Sequence, residues 1–216
     1  MNELKTGDLL LFSEFPSMCL MSALDYMIKC CTCSKYSHAA LIVVDPPWAP
    51  SLKGTFVWES SWHGTKDPQD DLVKLGVQLT PLQFYTQQYP GSVAIYVRKG
   101  SSKYFTDAVL KRVHKMVYKH KYDDRPKDWL AACFKRKIER QTEVFTCSAF
   151  VSYVLTSIGV LSLETDWTIM SAASLSKNGT DIVWNVKYGR DTYLGTYSQR
   201  AHPKSNDMAY QYLDGV

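Results

Sequence analysis

The sequence predicts an α+β fold in which an antiparallel β-sheet packs against helices. Short apolar runs rich in β-branched residues lie mostly together in the first hundred residues, as buried strands do. Three longer segments instead space their apolar residues three and four apart, as amphipathic helices do. Strands that fall together and are flanked by helices favour this fold class over a parallel α/β arrangement. With 216 residues, of which 45% are apolar, the chain fits a single domain with a substantial core.

Six segments are predicted to be strands, because each is a short apolar run that ends at turn residues. The first follows the turn signal Gly7-Asp8, and the second is closed by Asp45-Pro46-Pro47. In the third, Phe56 and Trp58 should lie on one face and Val57 and Glu59 on the other. The six predicted strands cover residues 9–12, 38–44, 55–59, 75–79, 93–97 and 182–186.

Helices are predicted at residues 18–31, for a short stretch after Thr80, from a cap at Ser101-Ser102, and at residues 146–158. Thr146 is the predicted N-cap of the last helix, and Gly159 its end. The polar segment 61–71 is predicted to be a loop. We expect one domain over residues 1–187, with an insertion around 118–143, and an irregular C-terminal tail over 188–216.

Charge and hydropathy exclude several classes of function. The formal net charge is +4 and charged residues of both signs make up 21%, which is not the basic footprint of a nucleic-acid-binding protein. No run approaches the roughly 18 apolar residues of a membrane span. The N-terminus does not have the pattern of a signal peptide, so we expect a cytoplasmic protein whose six cysteines are free thiols.

Three of the cysteines, Cys30, Cys31 and Cys33, crowd together. Such a cluster binds zinc when a second matching pair of ligands exists, and the chain offers none. We therefore interpret them as small apolar packing residues at a helix end and expect neither a metal nor a cofactor.

The strongest chemical feature is Cys147, which Thr146 places in the first turn of a helix. There the unpaired amides and the helix dipole favour an anion and lower the pKa of a thiol, as a nucleophile requires. A packed, inert cysteine in a buried helix fits the same pattern.

A histidine and a carboxylate stand at the ends of two predicted strands. His38 begins the strand at 38–44, where its ring can point into a cleft and act as a base. Glu59 ends the next strand and could accept the second ring proton of His38 if the two strands are antiparallel neighbours. A structural histidine and an exposed carboxylate are the alternatives for these two residues.

The remaining histidines compete less well for the role of base. His114 and His120 fall on or just after a charged helix, where we expect solvated side chains. His63 falls in the polar loop, where its side chain would be poorly fixed, and His202 in the tail. Tyr36, beside the His38 strand, is a candidate for lining a substrate cleft, although a packing role fits it equally.

Taken together, these segments resemble the circularly permuted branch of the NlpC-like, papain-fold thiol hydrolases. That group includes the bacterial YiiX and YaeF type and related proteins of poxviruses and other large DNA viruses. The likeness runs in order from about residue 5 to about residue 160. It is carried by GDLLLF at 7–12, YSHAALIV at 36–43, VWE at 57–59, GVQLTPL at 76–82, VAIY at 93–96 and CSAFV at 147–151.

The resemblance implies a permuted papain-like fold, with a sheet that bears His38 and Glu59 and a helix that presents Cys147. Carried over onto these positions, Cys147 is the nucleophile, His38 the general base and Glu59 the orienting residue. The implied activity is that of a cysteine amidase or peptidase acting on a peptide, isopeptide or acyl-amide substrate. Two alternatives stay open, a lipid acyl hydrolase or acyltransferase with the same triad, and a binding protein that keeps the fold without turnover.

Overall fold

Eight strands form one open sheet in the computed structural model, which describes residues 3–14, 34–89, 92–122, 144–179 and 183–198. Every neighbouring pair is antiparallel except β6 and β7, which are parallel. The order across the sheet is β7-β6-β4-β3-β2-β1-β5-β8. The strands are β1 (Leu9–Glu14), β2 (His38–Val44), β3 (Thr55–Asp67), β4 (Leu72–Pro81), β5 (Ser92–Arg98), β6 (Lys121–Tyr122), β7 (Val144–Phe145) and β8 (Thr192–Ser198).

Two α-helices, α1 (Asp107–Val117) and α2 (Cys147–Ser157), accompany the sheet in the described part of the chain. Helix α2 packs against the middle strands β2 and β3, and most of its residues are buried. Three single turns complete the helical content. They are a π-helix at Phe84–Gln88 and 3₁₀ turns at Ser102–Tyr104 and Trp167–Ile169.

The two faces of the sheet bury separate apolar clusters, because side chains alternate along each strand. Phe56 and Trp58 join the larger cluster, which includes helix α2. Val57 joins the smaller cluster on the other face, where Phe84 and Tyr85 of the π-helix cover the sheet. The alternation predicted for β3 is therefore confirmed, and it places Glu59 on the π-helix side.

The predicted α+β class and most of its elements are confirmed. Strands β1 to β5 each contain the segment predicted for them, and β2 has the predicted bounds. The sheet is antiparallel in its centre, and the helix that begins with Cys147 packs on it. Gly159 follows this helix with φ +78°, a conformation that favours glycine and ends a helix.

The prediction of a loop at 61–71 is wrong for residues 61–67, because β3 continues through Ser61 and His63 as far as Asp67, and only residues 68–71 form a turn. Gly64 and Pro68 suggested a loop, but Ser61 and Trp62 pair with Gly76 and Leu75 of β4. The register shift that follows absorbs Gly64, whose φ is +66°. A β-bulge of this kind accommodates a glycine without ending the strand.

Two predicted helix caps are also wrong. Thr80 and Pro81 belong to β4 and pair with β3, so the short helix starts later, at Phe84. Ser101-Ser102 leads only into a 3₁₀ turn, and Thr106 occupies the N-cap position of α1. The residue at the N-cap position of the π-helix is Gln83, and neither its side chain nor that of Thr106 makes a capping hydrogen bond.

The chain after Tyr188 is not wholly irregular, because Thr192–Ser198 forms β8 and pairs with β5. This edge strand is mostly exposed, so it lacks the apolar alternation by which a strand is recognised. The strand predicted at 182–186 is absent from its described part, residues 183–186, where Trp184 makes only an isolated bridge to Leu161.

Several predictions lie outside the described residues. They are the helix at 18–31 with its cysteine cluster, most of the 118–143 insertion, and residues 199–216. Within the described ranges, no helix combines the length and apolar character needed to cross a membrane.

Candidate active site

The candidate active site forms where β2 and β3 stop pairing. The last register pair joins Leu41 and Trp58, although β2 begins earlier, at His38, and β3 continues beyond Glu59. In this gap the Nε2 atom of His38 lies 2.6 Å from Oε2 of Glu59. The predicted contact between His38 and Glu59 is present, because β2 and β3 are the antiparallel neighbours that the prediction assumed. The prediction that Glu59 ends its strand is wrong, because β3 continues to Asp67.

Cys147 reaches the same place from helix α2. The helix begins there because Thr146 is its N-cap, with Oγ1 accepting a hydrogen bond of 3.3 Å from the amide of Ala149. An N-cap of this type satisfies one of the amide groups that have no partner within the helix. The thiol is thus held at the positive end of the helix dipole, as the sequence predicted.

The sulfur of Cys147 lies against the start of β2. It is 4.0 Å from the carbonyl oxygen of Ser37 and in hydrogen-bonding contact with the His38 ring. The backbone amides of Ala39 and Ser148 also donate to it. The Ala39 amide is available to the sulfur because β3 does not pair with β2 at residue 39. Nε2 of His38 is bonded to Glu59, so Nδ1 is the ring nitrogen that faces the thiol.

The pKa values of the thiol and the imidazole are shifted in opposite directions. Burial lowers the pKa of His38, but the charge and hydrogen bond of Cys147, together with Glu59, raise it well above its usual value. Burial raises the pKa of Cys147, but the charge and hydrogen bond of His38 and the two amides lower it overall. Opposite shifts of this kind favour a thiolate–imidazolium pair.

Glu59 is fully buried and accepts hydrogen bonds from three side chains. Besides His38, His63 approaches Oε1 through Nε2 at 3.1 Å, and the hydroxyl of Tyr85 donates to Oε2 at 2.6 Å. Burial raises the pKa of Glu59, but the charges and hydrogen bonds of His63 and His38 outweigh it and leave this pKa well below its usual range. The carboxylate is therefore ionised between two imidazoles.

A second layer of contacts fixes His63. Its Nε2 lies 2.7 Å from the hydroxyl of Tyr85 and 3.0 Å from Oγ of Ser61. Gln78, opposite Glu59 on β4, donates to Ser61 Oγ at 2.8 Å. Residues 59, 61 and 63 alternate onto one face of β3, so one strand supplies the carboxylate, its second imidazole and the hydroxyl between them.

Sequence reasoning missed His63 and Tyr85. The expectation that the His63 side chain is poorly fixed is wrong, because only 10% of it is exposed. The signal that could have found it is the i, i+2, i+4 spacing of Glu59, Ser61 and His63, which the loop prediction hid. The expectation for His114 is also wrong, because its ring stacks on Trp48 and its Nε2 donates to Oε1 of Gln69 at 2.8 Å.

Tyr36 lines a pocket of about 450 Å³ beside the candidate site. The ring itself is only 4% exposed, and its hydroxyl donates to Oδ2 of Asp191 at 2.9 Å. The residue therefore combines the two roles considered for it, because it packs in the core and forms one wall of a cavity. Its role in substrate binding stays a prediction.

A thiol, an imidazole and a carboxylate thus form one continuous set of contacts at a helix start. No family model matches the chain, and no curated protein matches it either. Within the described residues, no group of three or more histidine, cysteine and acidic side chains is arranged to hold a metal ion. What the site can do follows from its own groups, which are a thiol, an imidazole in contact with it and a buried carboxylate bonded to the imidazole, a set suited to nucleophilic chemistry.

Proposed function

We propose that this protein is a thiol hydrolase of the amidase or peptidase type, with the permuted papain-like arrangement that its motifs resemble. Cys147 is the nucleophile, His38 the acid and base, and Glu59 the orienting residue. The observation that carries the proposal is the single chain of contacts from the Cys147 thiol through His38 to the buried carboxylate of Glu59.

The proposed reaction is acyl transfer through a thioester. The Cys147 thiolate attacks the substrate carbonyl carbon and forms a C–S bond, and the carbon–nitrogen or carbon–oxygen bond then breaks as His38 protonates the leaving group. Water attacks the thioester next while His38 accepts its proton, and the C–S bond breaks with the Cys147 thiolate as the leaving group. The products are a carboxylic acid and the regenerated thiol–imidazole pair.

Two further features of the site support this chemistry. The backbone amide of Cys147, at the helix start, has no acceptor within the helix and is suited to stabilise the oxyanion. The contact of His63 with Oε1 of Glu59 is the second feature, because the charge and hydrogen bond of His63 help to hold the pKa of this buried carboxyl low. His63 is in this proposal a positioning residue, which acts on the thiol only through Glu59 and His38.

The decisive experiment measures the rate at which iodoacetamide alkylates Cys147 as a function of pH, with mass spectrometry to assign the labelled cysteine among the six in the chain. A midpoint well below ~8.5, the value of a free thiol, is expected. The other cysteines provide an internal reference, and His38→Ala should move the Cys147 midpoint towards theirs. A wild-type midpoint near the free-thiol value would contradict the proposal and favour a non-catalytic binding protein.

A substrate panel then separates the bond types. Peptide, isopeptide and acyl-lipid compounds are incubated with the protein, with Cys147→Ala as the blank. Release of product from an amide is expected. Turnover of the acyl lipids alone would assign the same three residues to a lipid acyl hydrolase or acyltransferase instead.

A further inference from the structure

The pocket beside Tyr36 is lined by two segments that lead to the neighbours of His38 and Cys147. One wall, Ser34 to Tyr36, is separated from His38 by a single residue. A second set of lining residues, 173 and 176–178, follows Met170, whose carbonyl accepts a hydrogen bond of 2.6 Å from Ser148 Oγ. Each of the two segments is thus tied to a residue adjacent to His38 or Cys147.

The lining of this pocket is polar and contains two lysines. Lys35 and Lys177 are both exposed at its edge, and Asn178 lies beside them. The ammonium of Lys35 lies 3.7 Å from the ring centroid of Tyr96 and 5.1 Å from that of Tyr36, which lines the pocket. Among the described lining residues, Ala173 and the ring of Tyr36 are the apolar ones, so the pocket is not built to take a long acyl chain.

The one carboxylate among the described lining residues, Asp191, is already paired. Its Oδ2 accepts from Tyr36 and its Oδ1 accepts from the backbone amide of Lys177 at 2.9 Å. Oδ1 also lies 3.4 Å from Nε of the buried Arg98. Because Arg98 neutralises Asp191, the charges of the two lysines are left to attract an anion.

We infer that this pocket binds a carboxylate on a peptide-like acyl substrate, with Lys35 and Lys177 recognising its charge; the inference rests on the proposed function. Lysine ammonium groups act as point charges, whereas an arginine can bind a phosphate through two parallel hydrogen bonds. The described lining residues of the pocket include no arginine. The preferred substrate is therefore an amide or isopeptide whose neighbouring residue is acidic.

Bromoacetyl reagents test this without a known substrate. Each reagent joins a bromoacetyl group to glutamic acid amide or to glutamine amide, either directly or through one to three alanines. The two reagents of the same spacer length form a pair that differs only in the charge of the side chain. Saturation kinetics of Cys147 alkylation give a binding constant for each reagent. At one spacer length, the glutamate reagent should bind about fivefold more tightly than its glutamine partner, as two partly exposed ion pairs predict.

The preference should disappear in the double variant Lys35→Gln, Lys177→Gln. The matched control is the double variant Lys53→Gln, Lys111→Gln, which removes the same charge at two exposed positions away from the pocket. This control should keep the preference for glutamate. Equal constants for glutamate and glutamine throughout the series would overturn the inference. A bromoacetyl phosphoethanolamine that binds more tightly than every glutamate reagent would also overturn it, in favour of a lipid headgroup.

Acetyl analogues of the same amides, titrated into Cys147→Ala by calorimetry, give the comparison without any alkylation. If calorimetry showed a preference for glutamate while Cys147 of the wild type was not alkylated, the inference about the pocket would be supported and the proposed function contradicted. Rapid alkylation of Cys147 with no glutamate preference in either measurement would contradict the pocket alone.

Discussion

The imidazole of His38 is bonded at 2.6 Å to Glu59, a carboxylate with no exposure to solvent. The same carboxylate accepts from His63 and Tyr85, so a single buried charge orients two imidazoles. Because a buried charge is tolerated only when it is paired and hydrogen-bonded, Glu59 and its partners depend on one another. Substitutions in this group should therefore have effects that reach the thiol.

Replacing Glu59 by glutamine keeps the size of the side chain but removes the charge that stabilises the His38 imidazolium. We expect acyl-transfer activity to fall about 10²–10⁴-fold, as in triads whose carboxylate is replaced by an amide. The alkylation midpoint of Cys147 should rise towards that of a free thiol. Glu164→Gln, which removes an exposed carboxylate, is the control and should leave both unchanged. An unchanged midpoint in Glu59→Gln would show that the carboxylate does not act on the thiol.

Replacing His63 by glutamine tests whether the charge of the second imidazole matters. The amide can still donate to Glu59 but cannot carry a proton, so the alkylation midpoint of Cys147 should rise by less than in Glu59→Gln. Tyr85→Phe removes one hydrogen bond to Glu59 without changing any charge, and it should cost about 1–2 kcal/mol of unfolding free energy with a smaller shift of the midpoint. If His63→Gln changed stability but left the midpoint at the wild-type value, His63 would be structural only.

The pH dependence of turnover should be bell-shaped. The pKa of Cys147 is lowered and that of His38 is raised, so the reactive ion pair exists between the two values. Activity should rise with pH as the thiol ionises and fall at alkaline pH as His38 loses its proton. The measurement is kcat/KM against pH, and the alkaline limb should move to lower pH in Glu59→Gln. A single rising limb with a midpoint near ~8.5 would contradict the ion pair.

Stability should also respond to pH through Glu59, whose folded pKa lies below its ordinary value of 4.5. A carboxyl with a lowered folded pKa stabilises the protein above its unfolded pKa, and this contribution is lost as pH falls through the folded value. The free energy of unfolding should therefore decrease below about pH 4.5. Denaturant titrations at a series of acid pH values check this, and Glu59→Gln should show a shallower decrease than the wild type.

Replacing Gly76 by alanine should disturb the strands that lead to Cys147. Gly76 has φ +142°, and a Cβ there would meet the carbonyl oxygen of His120 and lie 2.8 Å from Cα of Lys121 in β6. We expect a loss of about 3 kcal/mol from strain and overlap. Gly54→Ala is the comparison, because Gly54 has φ +106° but open space around the position of a Cβ. This variant has backbone strain without overlap and should lose about 1 kcal/mol of unfolding free energy. Thermal or chemical unfolding of both variants measures the difference, and equal losses would show that the contact with β6 is unimportant.

The sequence was sufficient for the candidate site where a residue stands at the edge of an apolar run or after a capping residue. Cys147 follows a capping threonine, and His38 and Glu59 bound two apolar runs, so local signals located all three. Their convergence depends on the pairing of β2 with β3, which was assumed for these neighbours in sequence and is present.

The sequence was insufficient where local signals conflict with pairing. Gly64 and Pro68 suggested a loop, yet the chain around His63 stays extended because β4 pairs with it. Tyr85 carries no sequence signal that separates a site residue from a core aromatic. Strand β8 is held by backbone hydrogen bonds to β5, and most of its residues are exposed. Its sequence therefore lacks the apolar alternation that predicts a strand.

The order of the site along the chain has a consequence for its assembly. His38, Glu59, His63 and Tyr85 all belong to the first half of the sequence, whereas Cys147 enters with α2 much later. During synthesis from the N-terminus, the proposed base and its carboxylate therefore emerge from the ribosome before the proposed nucleophile. In the proposed mechanism, the thiol–imidazole pair is complete only after α2 has docked on β2 and β3.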